Sequence, residues 1–149
     1  MHIVVVGLSH RTAPVEVREK LSIPDQSITE SLKALKTFNN VLEVSILSTC
    51  NRLEIYALVK DKITGISSIK EFISDYSGIN FEDLNPHLFC FKQEDAVLHL
   101  MKVSAGLDSL VLGEVQILSQ VKKMMRLGQE NQSHFLVQFL IEQVLLLLN

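Results

Sequence analysis

Val41-Leu42-Glu43-Val44-Ser45-Ile46-Leu47, then Ser48-Thr49-Cys50-Asn51-Arg52, then Leu53-Glu54-Ile55-Tyr56-Ala57-Leu58-Val59 is the stretch that decides the fold. The outer runs alternate apolar and polar residues closely enough to predict two strands, and the polar five between them predict the connection of a hairpin. The same connection holds the chain's most reactive combination. A thiolate is the nucleophilic form of cysteine and a guanidinium nearby stabilises it, so Cys50 beside Arg52 on a turn is a candidate nucleophile. The plain reading of any single cysteine is a small buried hydrophobe; polar Thr49, Asn51 and Arg52 argue against that reading here.

Working outward, His2-Ile3-Val4-Val5-Val6 begins a strand that ends in the turn Gly7-Leu8-Ser9-His10-Arg11, prolonged by Thr12-Ala13-Pro14. A helix is expected next, with Ser22 and Asp25 in capping-box spacing, Pro24 early, and Ile28, Leu32 and Leu35 at helical intervals. Beyond the hairpin, Ile69, Phe72, Ile73 and Tyr76 predict a second helix stopped near Gly78, and Leu88-Phe89-Cys90-Phe91 a short strand. This β-α-β-β-α-β order predicts an α+β fold, the split βαβ or ferredoxin-like antiparallel sheet with two covering helices on one face. Additional C-terminal helices are expected over Glu94 to Ala105 and about Ser109 to Gly128, with Gly106 as a stop between them. Cys90, flanked by Phe89 and Phe91, reads as a packing residue.

With 149 residues, 47% hydrophobic and 21% charged, the chain can bury a core, which excludes a disordered polymer. Its formal charge of -3 gives no general attraction to nucleic acid, and Lys122, Lys123 and Arg126 form the tightest basic group, most simply a solvated helix face. Two cysteines without CxxC spacing and five histidines without an HxxxH pattern imply neither a disulfide framework nor a metal site. The N-terminus enters a strand without a basic leader, so a reducing, cytoplasmic setting is expected. Ser133 to Asn149 differ in kind. They are nearly all apolar, predicted helical, and too interrupted by Gln138, Glu142 and Gln143 for a membrane span.

Three segments carry a family resemblance: Gly7 to Pro14, Ser48 to Tyr56, and Gly106-Leu107-Asp108-Ser109-Leu110-Val111-Leu112-Gly113-Glu114-Val115-Gln116-Ile117-Leu118. In this order they closely resemble glutamyl-tRNA reductase, over about Met1 to Gln132, the N-terminal catalytic domain of that family. The organisation expected is therefore a catalytic domain over 1–132 followed by an atypical apolar tail over 133–149. A shortened or frame-disrupted reading frame would explain the change in composition near Ser133.

The resemblance implies that Cys50 takes the glutamyl group from glutamyl-tRNA as a thioester, which NADPH reduces to glutamate-1-semialdehyde in the first step of tetrapyrrole synthesis by the five-carbon route. It implies His99 as a second catalytic residue, suited to proton transfer or to polarising the acyl carbonyl. It also implies Thr49, Asn51, Arg52, Ser109, Glu114, Val115, Gln116 and Gln120 as substrate contacts. Arg52 suits the substrate's free carboxylate, or else lowers the Cys50 pKa; Glu114 suits its ammonium group. Gln116 and Gln120 share a helix face at i,i+4. Val115 stands where the family commonly has proline. His10 and Arg11 are expected to shape their loop or contact tRNA. In the complete family enzyme NADPH is the cofactor, the protein is a homodimer, and the labile aldehyde can pass to glutamate-1-semialdehyde aminomutase. This chain shows no glycine-rich dinucleotide fingerprint. Two other readings stand beside the enzyme: a non-catalytic module binding tRNA or protein, and a generic Cys-His thiol hydrolase.

Overall fold

The structure, a computed structural model, describes residues 1–109 and 116–148. Four strands form one antiparallel sheet: β1 (His2–Ser9), β2 (Val41–Ser48), β3 (Arg52–Val59) and β4 (Phe89–Lys92), in the spatial order β2-β3-β1-β4. That order, with β2 and β3 joined as a hairpin, is the split βαβ arrangement expected.

Side chains alternate across each strand, and both faces are covered. Val4, Val6 and Leu8 of β1 with Leu53, Ile55, Ala57 and Val59 of β3 enter one core. Ile3 and Val5 with Tyr56 and Leu58 enter the other. The first face is covered by α1 (Val15–Leu21), α2 (Asp25–Lys36) and α3 (Lys62–Ser77), followed by the single turn α4 (Phe81–Leu84). Helices α5 (Glu94–Ser104), α6 (Gln116–Glu130) and α7 (His134–Leu148) cover the second. The sheet is thus a middle layer, which is why every residue of β3 is buried although its sequence alternates.

The first crossover holds two helices where the sequence pattern suggested one. Ser22 is not a capping-box residue: its N–H closes α1 on the Arg18 carbonyl, and Pro24 takes the N-cap position of α2. A short helix of the composition Val-Glu-Val-Arg-Glu-Lys-Leu has little intrinsic stability; the burial of Leu21 fixes it. Gly78 ends α3 and Gly106 follows α5, both at left-handed φ (71° and 78°). Gly128, expected near the end of its helix, instead lies within α6. A Cβ there would stand 2.7 Å from Val137 and 3.0 Å from the Ser45 hydroxyl, so its small size lets α6 lie close to both β2 and α7.

The apolar tail is anchored by polar contacts. The Ser133 hydroxyl accepts from Val44 N–H at 2.9 Å, and Glu43 accepts from Leu136 N–H at 2.9 Å in the first turn of α7, where free N–H groups favour a carboxylate. Leu136, Val137, Leu140 and Val144 point inward, while Phe135, Leu145 and Leu146 stay exposed. No helix among the described residues is long and apolar enough to cross a membrane.

Candidate functional site

The β2–β3 turn is braced from three directions. Asn51 O accepts from His10 N–H at 2.9 Å, Asn51 Oδ1 from Arg18 Nη1 at 3.2 Å, and Ser48 Oγ from Ile23 N–H at 3.0 Å. Within the turn, Thr49 N–H donates to Arg52 O and Asn51 N–H to Thr49 Oγ1. Asn51 and Thr49 therefore shape the tip, and Cys50 stands exposed at it. A thiol on a fixed turn over a rigid sheet is accessible and held in place.

One cleft is lined by Thr49, Cys50, Asn51, Arg52, Ser109, Gln116, Ile117 and Gln120. Seven of these eight residues, all but Ile117, are ones the sequence singled out. The i,i+4 pair Gln116 and Gln120 reaches the cleft from the start of α6, and Ser109 from the segment after α5. Glu114 and Val115 lie outside the described residues.

Beneath the turn lies an ion network. Arg52, Glu54 and Tyr56 project from one face of β3 at intervals of two, under α5. Glu54 is fully buried and accepts from Arg52 Nη1 at 2.6 Å and from Tyr56 Oη at 2.8 Å, while His99 Nε2 lies 2.9 Å from its Oε2. The His99 ring clusters with Phe89 and Phe91, its centroid 4.8 and 5.0 Å from theirs, which are themselves 5.3 Å apart. Arg52 Nη2 also donates to the Asp108 carbonyl at 2.7 Å and to Asp108 Oδ2 at 3.0 Å. Arg11 Nε completes the group, 2.9 Å from Asp108 Oδ1, which ties the first loop to the segment after α5.

These contacts set the protonation states. Burial pushes the Glu54 carboxyl up, but the hydrogen bond and charge of His99, then Arg52, outweigh it and hold the carboxyl below its ordinary value. Burial pulls Arg52 down, yet Glu54 and Asp108 leave it above its usual value. Burial and the Glu54 charge raise Tyr56 well above an ordinary phenol. His10 is lowered by burial, then by Arg52 and Arg11, and its Nδ1 is buried without a partner.

Two of the site residues that the resemblance implies are engaged within the protein itself. His99 does not line the cleft; it reaches Arg52 only through Glu54. Arg52 lines the cleft, but its guanidinium already holds two carboxylates. Glu54, Tyr56 and Asp108 were missed. The first two could have been found from their spacing of two from Arg52 on a strand.

Among the described residues no group of three or more His, Cys, Asp or Glu could hold a metal ion. The basic helix group is partly engaged, since Lys123 pairs with Asp25 and Arg126 approaches Glu130 at 3.8 Å. Gly7, which ends the first strand's apolar run, is no dinucleotide cradle. A Cβ there would meet Leu53 O at 2.3 Å and Glu54 Cα at 3.0 Å, so the glycine serves the close approach of β1 and β3. These residues do not fit NADPH.

Fold and site together define an α+β domain of the split βαβ type, bearing an exposed turn thiol over a buried ion network. Residues 6–145 match the family described as glutamyl-tRNAGlu reductase, N-terminal domain, and the chain belongs to that family. It is 94% identical over 133 residues to a glutamyl-tRNA reductase of Prochlorococcus marinus strain MIT 9312, covering 89% of this chain and 30% of the relative. A glutamyl-tRNA reductase of Synechococcus strain WH7803 is 69% identical over the same length. The solved structure of glutamyl-tRNA reductase from Methanopyrus kandleri superposes with a TM-score of 0.73 at 26% identity, over 97% of this chain and 33% of that one. The chain thus spans about a third of the length of the relatives it matches.

Proposed function

We propose that this chain performs the acyl-transfer half of glutamyl-tRNA reduction. The observation that carries it is the exposed Cys50 at the mouth of a cleft shared with Arg52, Ser109, Gln116 and Gln120. The Cys50 thiolate attacks the ester carbonyl joining glutamate to tRNA. A carbon–sulfur bond forms, the carbon–oxygen bond breaks, and the ribose hydroxyl leaves with the proton given up by the thiol. A thioester accepts hydride more readily than an oxygen ester, and covalent catalysis divides a hard reduction into two easier steps.

Arg52 meets the glutamyl side-chain carboxylate, while Ser109, Gln116 and Gln120 supply hydrogen bonds to the bound group. Asn51 and Thr49 hold the thiol in place. His99 acts as a positioning residue, since it holds Glu54 and thereby Arg52. The hydride from NADPH that the family's chemistry requires has no holder among these residues, so the proposal for this chain stops at the thioester. Reduction of the thioester to glutamate-1-semialdehyde, toward tetrapyrrole synthesis in a cytoplasmic setting, is the continuation this proposal expects in a longer protein.

Intact-mass measurement after brief incubation with glutamyl-tRNA and an acid quench tests this. A glutamyl adduct present on the chain and absent from Cys50→Ser supports acyl transfer. A folded chain that stays unmodified rejects it.

A further inference from the structure

The two carboxylates on the Arg52 guanidinium are held very differently. Glu54 has no exposure and three partners, Arg52, Tyr56 and His99. The Asp108 side chain is 23% exposed, with one oxygen on Arg52 Nη2 and the other on Arg11, whose side chain is 57% exposed. Arg52 lines the cleft beside Cys50, and so does Ser109, the residue next to Asp108. The replaceable anion therefore lies on the donor that an incoming carboxylate in the cleft would seek.

We infer that Asp108 is a resident stand-in for the substrate's side-chain carboxylate: a glutamyl carboxylate entering the cleft takes over Arg52 Nη2 and leaves Asp108 to Arg11. The inference rests on the acyl-transfer reading for the identity of the ligand. Exchange of one carboxylate for another keeps the buried guanidinium paired throughout, so no uncompensated charge is created. Asp108 already contacts Arg11 near solvent, so it has somewhere to go. A neutral amide is a poor replacement, because it gives up the charge-assisted bond. The glutamine analogue would leave Asp108 in place, and the substrate's charge is read by whether the exchange occurs.

A resident competitor lowers apparent affinity by the fraction of molecules in which it has moved away. Removing it tightens binding, whereas removing a brace that merely positions Arg52 would weaken binding. The test is a titration of the full chain with glutamate α-methyl ester, and in parallel with glutamine α-methyl ester, following the Arg52 guanidinium and Asp108 carboxylate signals by NMR. The glutamate ester is expected to move both signals with one midpoint, and the glutamine ester to leave Asp108 unmoved over the same range. Asp108→Asn keeps the carbonyl that Arg52 uses and is expected to bind the glutamate ester about tenfold tighter, on the scale of one charge-assisted hydrogen bond.

Weaker binding by a folded Asp108→Asn, or an Asp108 signal that stays still throughout the glutamate ester titration, overturns the inference. Should that variant not fold, the wild-type titration alone decides. Acylation by glutamyl-tRNA, measured on the same preparation, separates the two ideas: an acylated Cys50 with an unmoved Asp108 removes the stand-in and leaves acyl transfer standing. A moved Asp108 without acylation does the reverse.

Discussion

Replacing Glu54 by Gln keeps the shape of the side chain and removes the charge on which Arg52, Tyr56 and His99 converge. Breaking one member of a buried ion pair typically costs about 3–5 kcal/mol, because the partner is left buried and uncompensated. Here Arg52 retains Asp108, which places the expected loss at the lower end, about 3 kcal/mol. In a domain of this size that corresponds to a fall in Tm of roughly 6–12 °C. Urea unfolding followed by circular dichroism at pH 7 measures it.

The pH dependence fixes the sign. Glu54 is held below its ordinary value of 4.5, so its contribution is fully present above that pH and is lost as pH falls through the lowered folded value. The gap between wild type and Glu54→Gln should accordingly be constant near neutrality and close on acidification. A neutral-pH difference under about 0.5 kcal/mol, the range of ordinary surface changes, would refute the view that the network depends on this charge.

Cys50→Ser, at an exposed turn, should abolish the glutamyl adduct while leaving stability within about 0.5 kcal/mol, as read by mass and by melting. Gly7→Ala places a methyl against the backbone of Leu53 and Glu54 and should cost about 1–3 kcal/mol in denaturant unfolding. Lys123→Ala removes an ion pair whose Asp25 partner is largely exposed; the loss should be no more than about 1 kcal/mol and should shrink further in high salt. His10 is held below its ordinary 6.5, so stability should fall as pH drops through the range just under that value. A His10→Gln variant should lose this slope in urea titrations.

The sheet was legible because alternation in the hairpin and the order of apolar runs leave few topologies open. The turn thiol was legible because a strand connection brings its residues to one tip, whereas the glutamine pair entered only through the family resemblance, since an i,i+4 interval by itself reads as an ordinary surface face. What escaped had its cause outside its own segment. Helix α1 is held by Leu21 in the core rather than by propensity. Glu54 and Arg52 look like the solvent side of an alternating strand until α5 and the Asp108 segment close over them. Asp108 itself reads as a linker residue, since nothing local shows that Arg11 and Arg52, 97 and 56 positions away, converge on it.

Coverage of the sheet on both faces also has a consequence for how the chain folds. By Lys92 all four strands and the first helical layer exist, yet Tyr56, Leu58, Phe89 and Phe91 still wait for α5, α6 and α7 to cover them. Until then Glu54 has no histidine and Arg52 no Asp108. An emerging chain at that stage presents an apolar sheet face that carries the Arg52–Glu54 pair without its outer partners, a surface open to aggregation. Docking of α5, α6 and α7 closes the apolar face and completes the ion network together, so the amides of β3 should exchange with solvent only on global unfolding.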